Sequence, residues 1–349
     1  MTDIPRNNNF DLLRLLLAFT VSLAHLGDIS GVVAFYPLSH HLYSGVAVEC
    51  FFVVSGFLIF RSYHRSSTLF SYLNKRLRRI YPAYLTVVLL AAVLLPLITG
   101  TASDLLFSRE WFRYLLTNLA FLNFLQPDLP GIFSGNNLQV INAPLWTIKV
   151  EVMFYLLVPL LFLFLRDKRK WLPLTLLYGA SIAYSLFFLH LHASRGADIY
   201  LTLEKQLPGQ LAFFLSGGAI YFYFKFFKKQ WKKLLPAALL LLFVQPEPLF
   251  ALFYPLALAI AVLSFALTLP YLGNWGKYGD FSYGVYIFHF PIIQLFSHFA
   301  LFDHHPWISF VLLLLTIFFT AFCSYHLVER PFLRKSSHYR LAAESKKTS

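Results

Sequence analysis

Ten apolar runs of roughly 20 residues recur along the chain, and no other feature narrows the possible folds as much. Nine of them, 18–22 residues long, match the length of helix that crosses a hydrocarbon core of about 30 Å, and the run 234–246 is shorter. The runs fall at residues 10–30, 45–63, 80–100, 145–165, 171–190, 207–224, 234–246, 249–270, 283–302 and 307–328. Soluble domains carry about a quarter charged residues. This chain has 13% charged and 58% hydrophobic residues, so it cannot build a soluble surface. The fold class read from this is all-α, a polytopic transmembrane helix bundle with about ten spanning helices. Between the third and fourth runs, Trp111 to Leu125 is a weaker stretch, too short for a span and read as a re-entrant or interfacial piece.

Twenty-nine Lys and Arg against 16 Asp and Glu give a formal charge of +13, which in a soluble protein would point to nucleic acid. Here the basic residues cluster in short loops beside apolar runs, the bias that sets membrane orientation. Membrane lipids are therefore the expected surroundings, with no nucleic-acid partner. Arg61, Arg65, Lys75, Arg76, Arg78 and Arg79 follow the second run. Arg166, Lys168, Arg169 and Lys170 follow the fourth, and Lys225, Lys228, Lys229, Lys232 and Lys233 the sixth. With ten spans and a cytoplasmic N-terminus, all three clusters share the cytoplasm, and so does the C-terminus with Arg330, Arg334, Lys335 and Arg340. Counting 111–125 as a span would put the later two clusters outside.

Residues 1–335 read as one transmembrane domain and 336–349 as a polar cytoplasmic tail. Asp11 and Arg14 interrupt the first run and no small-residue cleavage site follows, so that segment is expected to be retained. Cys50 and Cys323 lie in apolar segments far apart and suggest no disulfide framework.

An ionisable residue inside an apolar run costs at least about 2.5–3.5 kcal/mol at a helix centre, so each needs a partner or a task. Those present are Asp11, Arg14, His25, Glu49, Lys149, Glu151 and His289. Arg14 and His25 are eleven residues apart. On one helix that spacing puts them about 20° from alignment and about 16 Å apart in height. His25 suits a general base, because imidazole titrates near neutrality, but a hydrogen-bonded packing role fits the same position. Arg14 reads equally as a snorkelling anchor. The arginines at 76, 78 and 79 are either a topogenic cluster or, through their guanidinium forks, a phosphate site. Lys149 and Glu151 sit two residues apart on different helix faces, so each needs its own partner, in an interhelical ion pair or in catalysis.

Five stretches together resemble the acyltransferase-3 family of membrane O-acyltransferases. They are Phe10 to His25 (FDLLRLLLAFTVSLAH), Gly45 to Ile59 (GVAVECFFVVSGFLI), Arg76 to Tyr84 (RLRRIYPAY), Leu145 to Leu156 (LWTIKVEVMFYL) and Ser282 to Pro291 (SYGVYIFHFP), with Glu329-Arg330-Pro331-Phe332 closing the series. The resemblance implies transfer of an acyl group, usually acetyl from acetyl-CoA, to a hydroxyl of a surface or lipid-linked saccharide at the bacterial cytoplasmic (inner) membrane. It implies no metal. By the resemblance, the family's first-helix Arg and His are Arg14 and His25, and its cytoplasmic Arg-x-x-Arg pair is Arg76 and Arg79, expected on the acyl-CoA phosphates. His25 is expected to deprotonate the acceptor or carry the acyl group. Arg14 would steady the donor or polarise the thioester carbonyl, and Glu151 would orient an imidazole or balance Arg14's charge. Many members carry two consecutive Glu after the Trp-containing element, whereas here the second position is Val152. Some members also have a C-terminal hydrolase-like domain that this sequence lacks. Either the membrane domain acts alone or a separate extracytoplasmic protein finishes the transfer. A transporter or flippase is the alternative reading, because buried charges also mark transport paths.

Overall fold

A computed structural model of the chain describes residues 5, 7–165 and 170–333. Arg6, Arg166, Lys168, Arg169, Arg334, Lys335, Arg340 and the tail 336–349 lie outside the described residues. The described regular structure is helical throughout. In chain order the helices are α1 (Phe10–Ile29), α2 (Tyr36–His41), α3 (Ser44–His64), α4 (Leu69–Ile98), α5 (Ala102–Leu105), α6 (Arg109–Leu119), α7 (Leu145–Phe164) and α8 (Trp171–Arg195). They continue with α9 (Ile199–Glu204), α10 (Leu207–Phe222), α11 (Phe224–Val244), α12 (Leu249–Leu267), α13 (Ser282–His298) and α14 (Pro306–Cys323). A π-helical turn, Ser324–Glu329, leads from α14 into α15 (Arg330–Phe332).

Every apolar run becomes a helix. Among the described residues, seven stretches are long and apolar enough to cross a membrane: α1, α3, α4, α7, α8, α12 and the length from Pro306 to Phe332. The remaining three runs lie in α10 (16 residues), α11 (21 residues) and α13 (17 residues). The basic clusters differ from expectation. Lys75 to Arg79 lie inside the 30-residue α4, and Lys225 to Lys233 form the first half of α11, so neither is a loop. Lys and Arg are good helix formers. A 30-residue helix is about 45 Å long, enough to carry its basic end beyond the hydrocarbon. The weak stretch contains α6, whose 11 residues reach about 16 Å, about half a membrane core.

Contacts group the chain into two compact units. The first comprises Met1–Leu13, Val48–Leu73 and Val150–Gly273. Its core is aromatic: Phe154 stacks on Phe214 with centroids 4.1 Å apart, and Phe52 and Phe60 meet the same pair edge-on or tilted. The α3 and α10 backbones approach closely at Gly217, where a Cβ would lie 2.0 Å from the Val53 carbonyl oxygen. Asn9 pins the start of α1 to the end of α12. Its Nδ2 donates to the Phe265 and Pro270 carbonyls at 3.1 and 3.0 Å, and its Oδ1 accepts from the Leu272 N–H at 2.9 Å.

The second unit comprises Arg14–Ala47, Asn74–Lys149 and Asn274–Ser349. In it α6 lies along α4: the Trp111 indole donates to the Ala92 carbonyl at 2.7 Å, and the Tyr84 hydroxyl to the Asn118 carbonyl at 2.8 Å. Ala92 is four residues before Pro96, which has no N–H to offer, so the indole supplies the donor the helix lacks. The first unit repeats the device. Pro159 leaves the Tyr155 carbonyl without its helical donor, and the Tyr72 hydroxyl donates to it at 3.1 Å.

Gly217→Ala tests the α3–α10 contact. The new methyl meets backbone, which cannot swing aside, so the variant is expected to lose at least about 1–3 kcal/mol. A lowered thermal midpoint in detergent is the expected result, and an unchanged midpoint would show that the two helices can separate without cost.

Candidate active site

The geometry gathers around the segment 280–289 of the second unit. Asp280 precedes α13, its side chain is 2% exposed, and it forms ion pairs with two arginines on different helices. Arg14 of α1 lies 3.3 Å from its Oδ2, and Arg79 of α4 donates to the same oxygen. The Ser282 hydroxyl and N–H serve the other oxygen. Arg79 also faces Glu329 at 3.8 Å, and Ser324 donates to that carboxylate at 3.2 Å. Two guanidiniums thus meet two carboxylates. Gly279 has φ +131° and lies flat against the Tyr325 ring, where a Cβ would come within 2.1 Å of the ring edge. Only glycine lets the chain turn here and deliver Asp280.

Burial pushes the Asp280 carboxyl up. The Arg14 and Arg79 guanidiniums, with the Ser282 hydroxyl and N–H, more than offset this and hold it at about 2. A carboxylate held below its unfolded value stabilises the fold fully above that value. That contribution is withdrawn as pH falls toward the folded one.

Higher on α1, His25 Nδ1 lies 2.8 Å from His289 Nε2 of α13. The ring planes differ by 6° and the centroids are 5.2 Å apart, the arrangement of a straight in-plane N–H···N bond. His289 is fully buried, and its Nδ1 sits 2.8 Å from the Tyr286 carbonyl and 3.2 Å from that of Val285. Carbonyls only accept, so His289 Nδ1 carries the proton and Nε2 is an acceptor. His25 must then donate through Nδ1, which leaves its Nε2 lone pair available. His25 itself is only half-buried.

The turn that orients His289 is held from a second direction. The Thr147 hydroxyl, in the first turn of α7, bonds to the Tyr286 hydroxyl at 2.7 Å, and Asn142 Nδ2 donates to the Ile287 carbonyl at 2.9 Å. One turn further along α13, fully buried Gln294 donates to the Leu138 and Val140 carbonyls at 2.7 and 2.8 Å and accepts from Asn136 at 2.7 Å.

The other sequence candidates lie as follows. Glu151, in the first unit, accepts from the Tyr155 hydroxyl at 2.6 Å and the Ser55 hydroxyl at 3.3 Å. Within the second unit, His25 meets His289 and Arg14 meets Asp280. Lys149 holds its ammonium 4.7 Å above the Phe124 ring. Glu49 accepts from the Tyr254 hydroxyl. Arg79 is committed to Asp280 and Glu329, and Arg76 is half-buried on α4. Sequence reasoning missed Asp280, because the search was confined to ionisable residues inside apolar runs and Asp280 lies just outside one. His289 met that criterion, but its partner is 264 residues away.

Asp280→Asn removes the charge that two buried guanidiniums share. Losing one partner of a buried ion pair costs about 3–5 kcal/mol, so a steep fall in thermal midpoint is expected at pH 7. The wild-type midpoint should show no pH dependence from this group between pH 8 and pH 5 and should drop once pH passes below the ordinary carboxylate value of about 3.9. A variant as stable as wild type would show that the arginines find their compensation elsewhere.

The chain was compared with known proteins. The sequence pattern of the acyltransferase-3 family, described as an acyltransferase domain, matches residues 7–328. An O-acetyl transferase of Shigella phage Sf6 is 26% identical over 339 residues, covering 95% of this chain and 98% of the relative. Nodulation protein 10 of Rhizobium leguminosarum bv. viciae is 33% identical over 177 residues, 47% of this chain and 46% of its own. Acyltransferase MdmB of Streptomyces mycarofaciens is 29% identical over 129 residues, 36% and 31% of the two chains. No solved structure matches. The chain belongs to the acyltransferase-3 family, and it is an acyltransferase built as a polytopic helical membrane bundle.

Proposed function

We propose that this enzyme moves an acetyl group from cytoplasmic acetyl-CoA to a hydroxyl of a surface or lipid-linked saccharide, at the bacterial inner membrane. The carrying observation is the tautomer of His25, whose Nδ1–H is fixed by His289 and whose Nε2 is left basic. Acetyl transfer to oxygen draws support from the phage relative, whose name is O-acetyl transferase and which spans almost the same length, and the saccharide acceptor from membership of the acyltransferase-3 family. The cytoplasmic donor side is supported by the basic residues at the start of α4 and of α11, the kind of cluster that the positive-inside bias favours toward the cytoplasm.

In this reading the acceptor hydroxyl donates its hydrogen bond to His25 Nε2. As the oxygen attacks the thioester carbonyl carbon, its proton passes to Nε2 and a new C–O bond forms. The C–S bond then breaks, and the thiolate of CoA leaves and takes the proton back from the imidazolium. His289 accepts from His25 throughout, so the ring stays aimed. Arg14 holds the height of His25 through Asp280. Arg76 is the donor-phosphate contact, and Arg79 shapes that end of the site through its two carboxylates. Glu151, with Tyr155 and Ser55, contributes a polar group on α7. Acyl-CoA and the saccharide are the partners in this scheme, with or without a separate protein that completes delivery outside.

His25→Ala is expected to lower turnover by about 10²–10⁴, the contribution typical of a general base. Turnover is measured as thiol release from acetyl-CoA and as O-acetyl groups on the host's glycans by mass spectrometry. Near-normal turnover in a well-folded variant would sink the base role. Arg76→Ala should raise the KM for acetyl-CoA more than it lowers kcat, the pattern of lost uniform binding. Arg79→Ala should lower the thermal midpoint as well. Equal behaviour of the two arginine variants would count against dividing their roles.

A further inference from the structure

The proline of α13 leaves a debt inside the site. Pro291 has no N–H, so the Ile287 carbonyl, four residues earlier, cannot form its helical hydrogen bond. Ile287 is fully buried, which keeps water from serving that oxygen. A buried carbonyl left unsatisfied carries the full penalty of its lost hydration. The donor that reaches it is the Asn142 side chain, at 2.9 Å. Asn142 is 7% exposed, and its Oδ1 is buried without a hydrogen-bond partner among the described residues. The position therefore uses the donor half of an amide and leaves the acceptor half idle.

The carbonyl that Asn142 serves belongs to the turn that fixes the His289 tautomer. The carbonyls of Val285 and Tyr286 accept from His289 Nδ1, and the next carbonyl along the chain is that of Ile287. Thr147 holds the Tyr286 side chain of the same turn. Asn142 itself is held in place, because Gln294 grips the segment just before it at Leu138 and Val140. A shift of this turn would move the acceptor nitrogen that His25 Nδ1–H needs.

We infer that Asn142 is a positioning residue for acyl transfer: by capping the Ile287 carbonyl that Pro291 leaves open, it fixes the turn that sets the proton positions of His289 and, through it, of His25. The inference rests on the reading of His25 as the base. Asn142 touches neither reactant in this scheme and acts entirely through α13.

The test uses the full-length enzyme in detergent, with acetyl-CoA as donor and lipid-linked saccharides extracted from the host membrane as acceptor. Asn142→Ala removes the donor, and Asn142→Asp places an acceptor against a carbonyl at nearly the same volume. A displacement of about 1 Å at a reacting group costs on the order of 10²-fold in rate. Both variants should therefore lose about that much kcat, with little change in the KM for acetyl-CoA, and should shift the limb of the pH–rate profile that reports the base. The decisive arm is Pro291→Ala, which gives residue 291 an N–H for the Ile287 carbonyl. In that background the loss caused by Asn142→Ala should shrink, in kcat and in thermal midpoint alike. Equal losses at position 142 in both backgrounds would overturn the inference. So would variants whose kcat per folded molecule and pH profile match wild type. His25→Ala is the separate control. Loss there with normal Asn142 variants overturns this inference alone, whereas retained turnover in His25→Ala overturns the base reading and this inference with it.

Discussion

The second unit depends on a single buried carboxylate. Asp280 is the point where α1, α4 and the start of α13 meet, through Arg14, Arg79 and Ser282. In a low-dielectric interior none of these charges can be left alone, so the three elements are locked in height as well as in proximity. The second tie between α1 and α13, His25 to His289, lies eleven residues further along α1 and nine further along the other strand of chain. Two ties in the same order make α1 and α13 parallel. That direction is itself informative. If residues 111–125 crossed the membrane as an extra span, α13 would emerge antiparallel to α1, and the two ties could not both form.

The same bundle shows what lipid demands of a backbone. With no water to serve exposed carbonyls, each proline inside a spanning helix opens an acceptor four residues back that protein must fill. Three of these sockets are filled by side chains from elsewhere: Ala92 by Trp111, Tyr155 by Tyr72 and Ile287 by Asn142. Each fixes the docking of a segment that periodicity alone would leave loose, including the short α6. The prolines act here as addressed sockets, and the third one opens within four residues of His289.

How much of this could be read in the sequence follows from the range of each force. Apolar length and charge content act locally, so the all-helical polytopic class, the ten runs and the shortness of the 111–125 stretch were all legible. So was the shared face of Arg14 and His25, since it needs only helix geometry. Partners were not legible, because they are chosen by packing between residues distant in sequence. Glu151 looked like a match for an imidazole or for Arg14, and it instead accepts from Tyr155 and Ser55. The basic stretches looked like loops because charge was taken as a sign of exposure, whereas Lys and Arg continue a helix readily once it leaves the hydrocarbon. Asp280 was invisible for a related reason: a carboxylate just outside an apolar run resembles an ordinary solvated loop residue until two guanidiniums are seen to converge on it.

The partner of His25 also bears on how the proposed chemistry is run. A carboxylate at the position of His289 would both fix the tautomer and supply a full negative charge to stabilise the imidazolium. A neutral imidazole fixes the tautomer and the aim but supplies no such charge. Arg14 does not change this balance. At about 16 Å along α1, a unit charge acts on His25 with only about 1 kcal/mol at an effective dielectric of 20, and Asp280 cancels most of that. In the proposed scheme the role left to Arg14 is therefore mechanical: its ion pair with Asp280 sets the register of α1. With a neutral imidazole as its hydrogen-bond partner, the imidazolium formed in the proposed scheme as the acceptor is deprotonated gains most by passing its proton on at once. The nearest base created in the same step is the departing thiolate. A neutral orienting partner thus favours a base that hands its proton from acceptor to leaving group within one transfer over one that keeps it between steps.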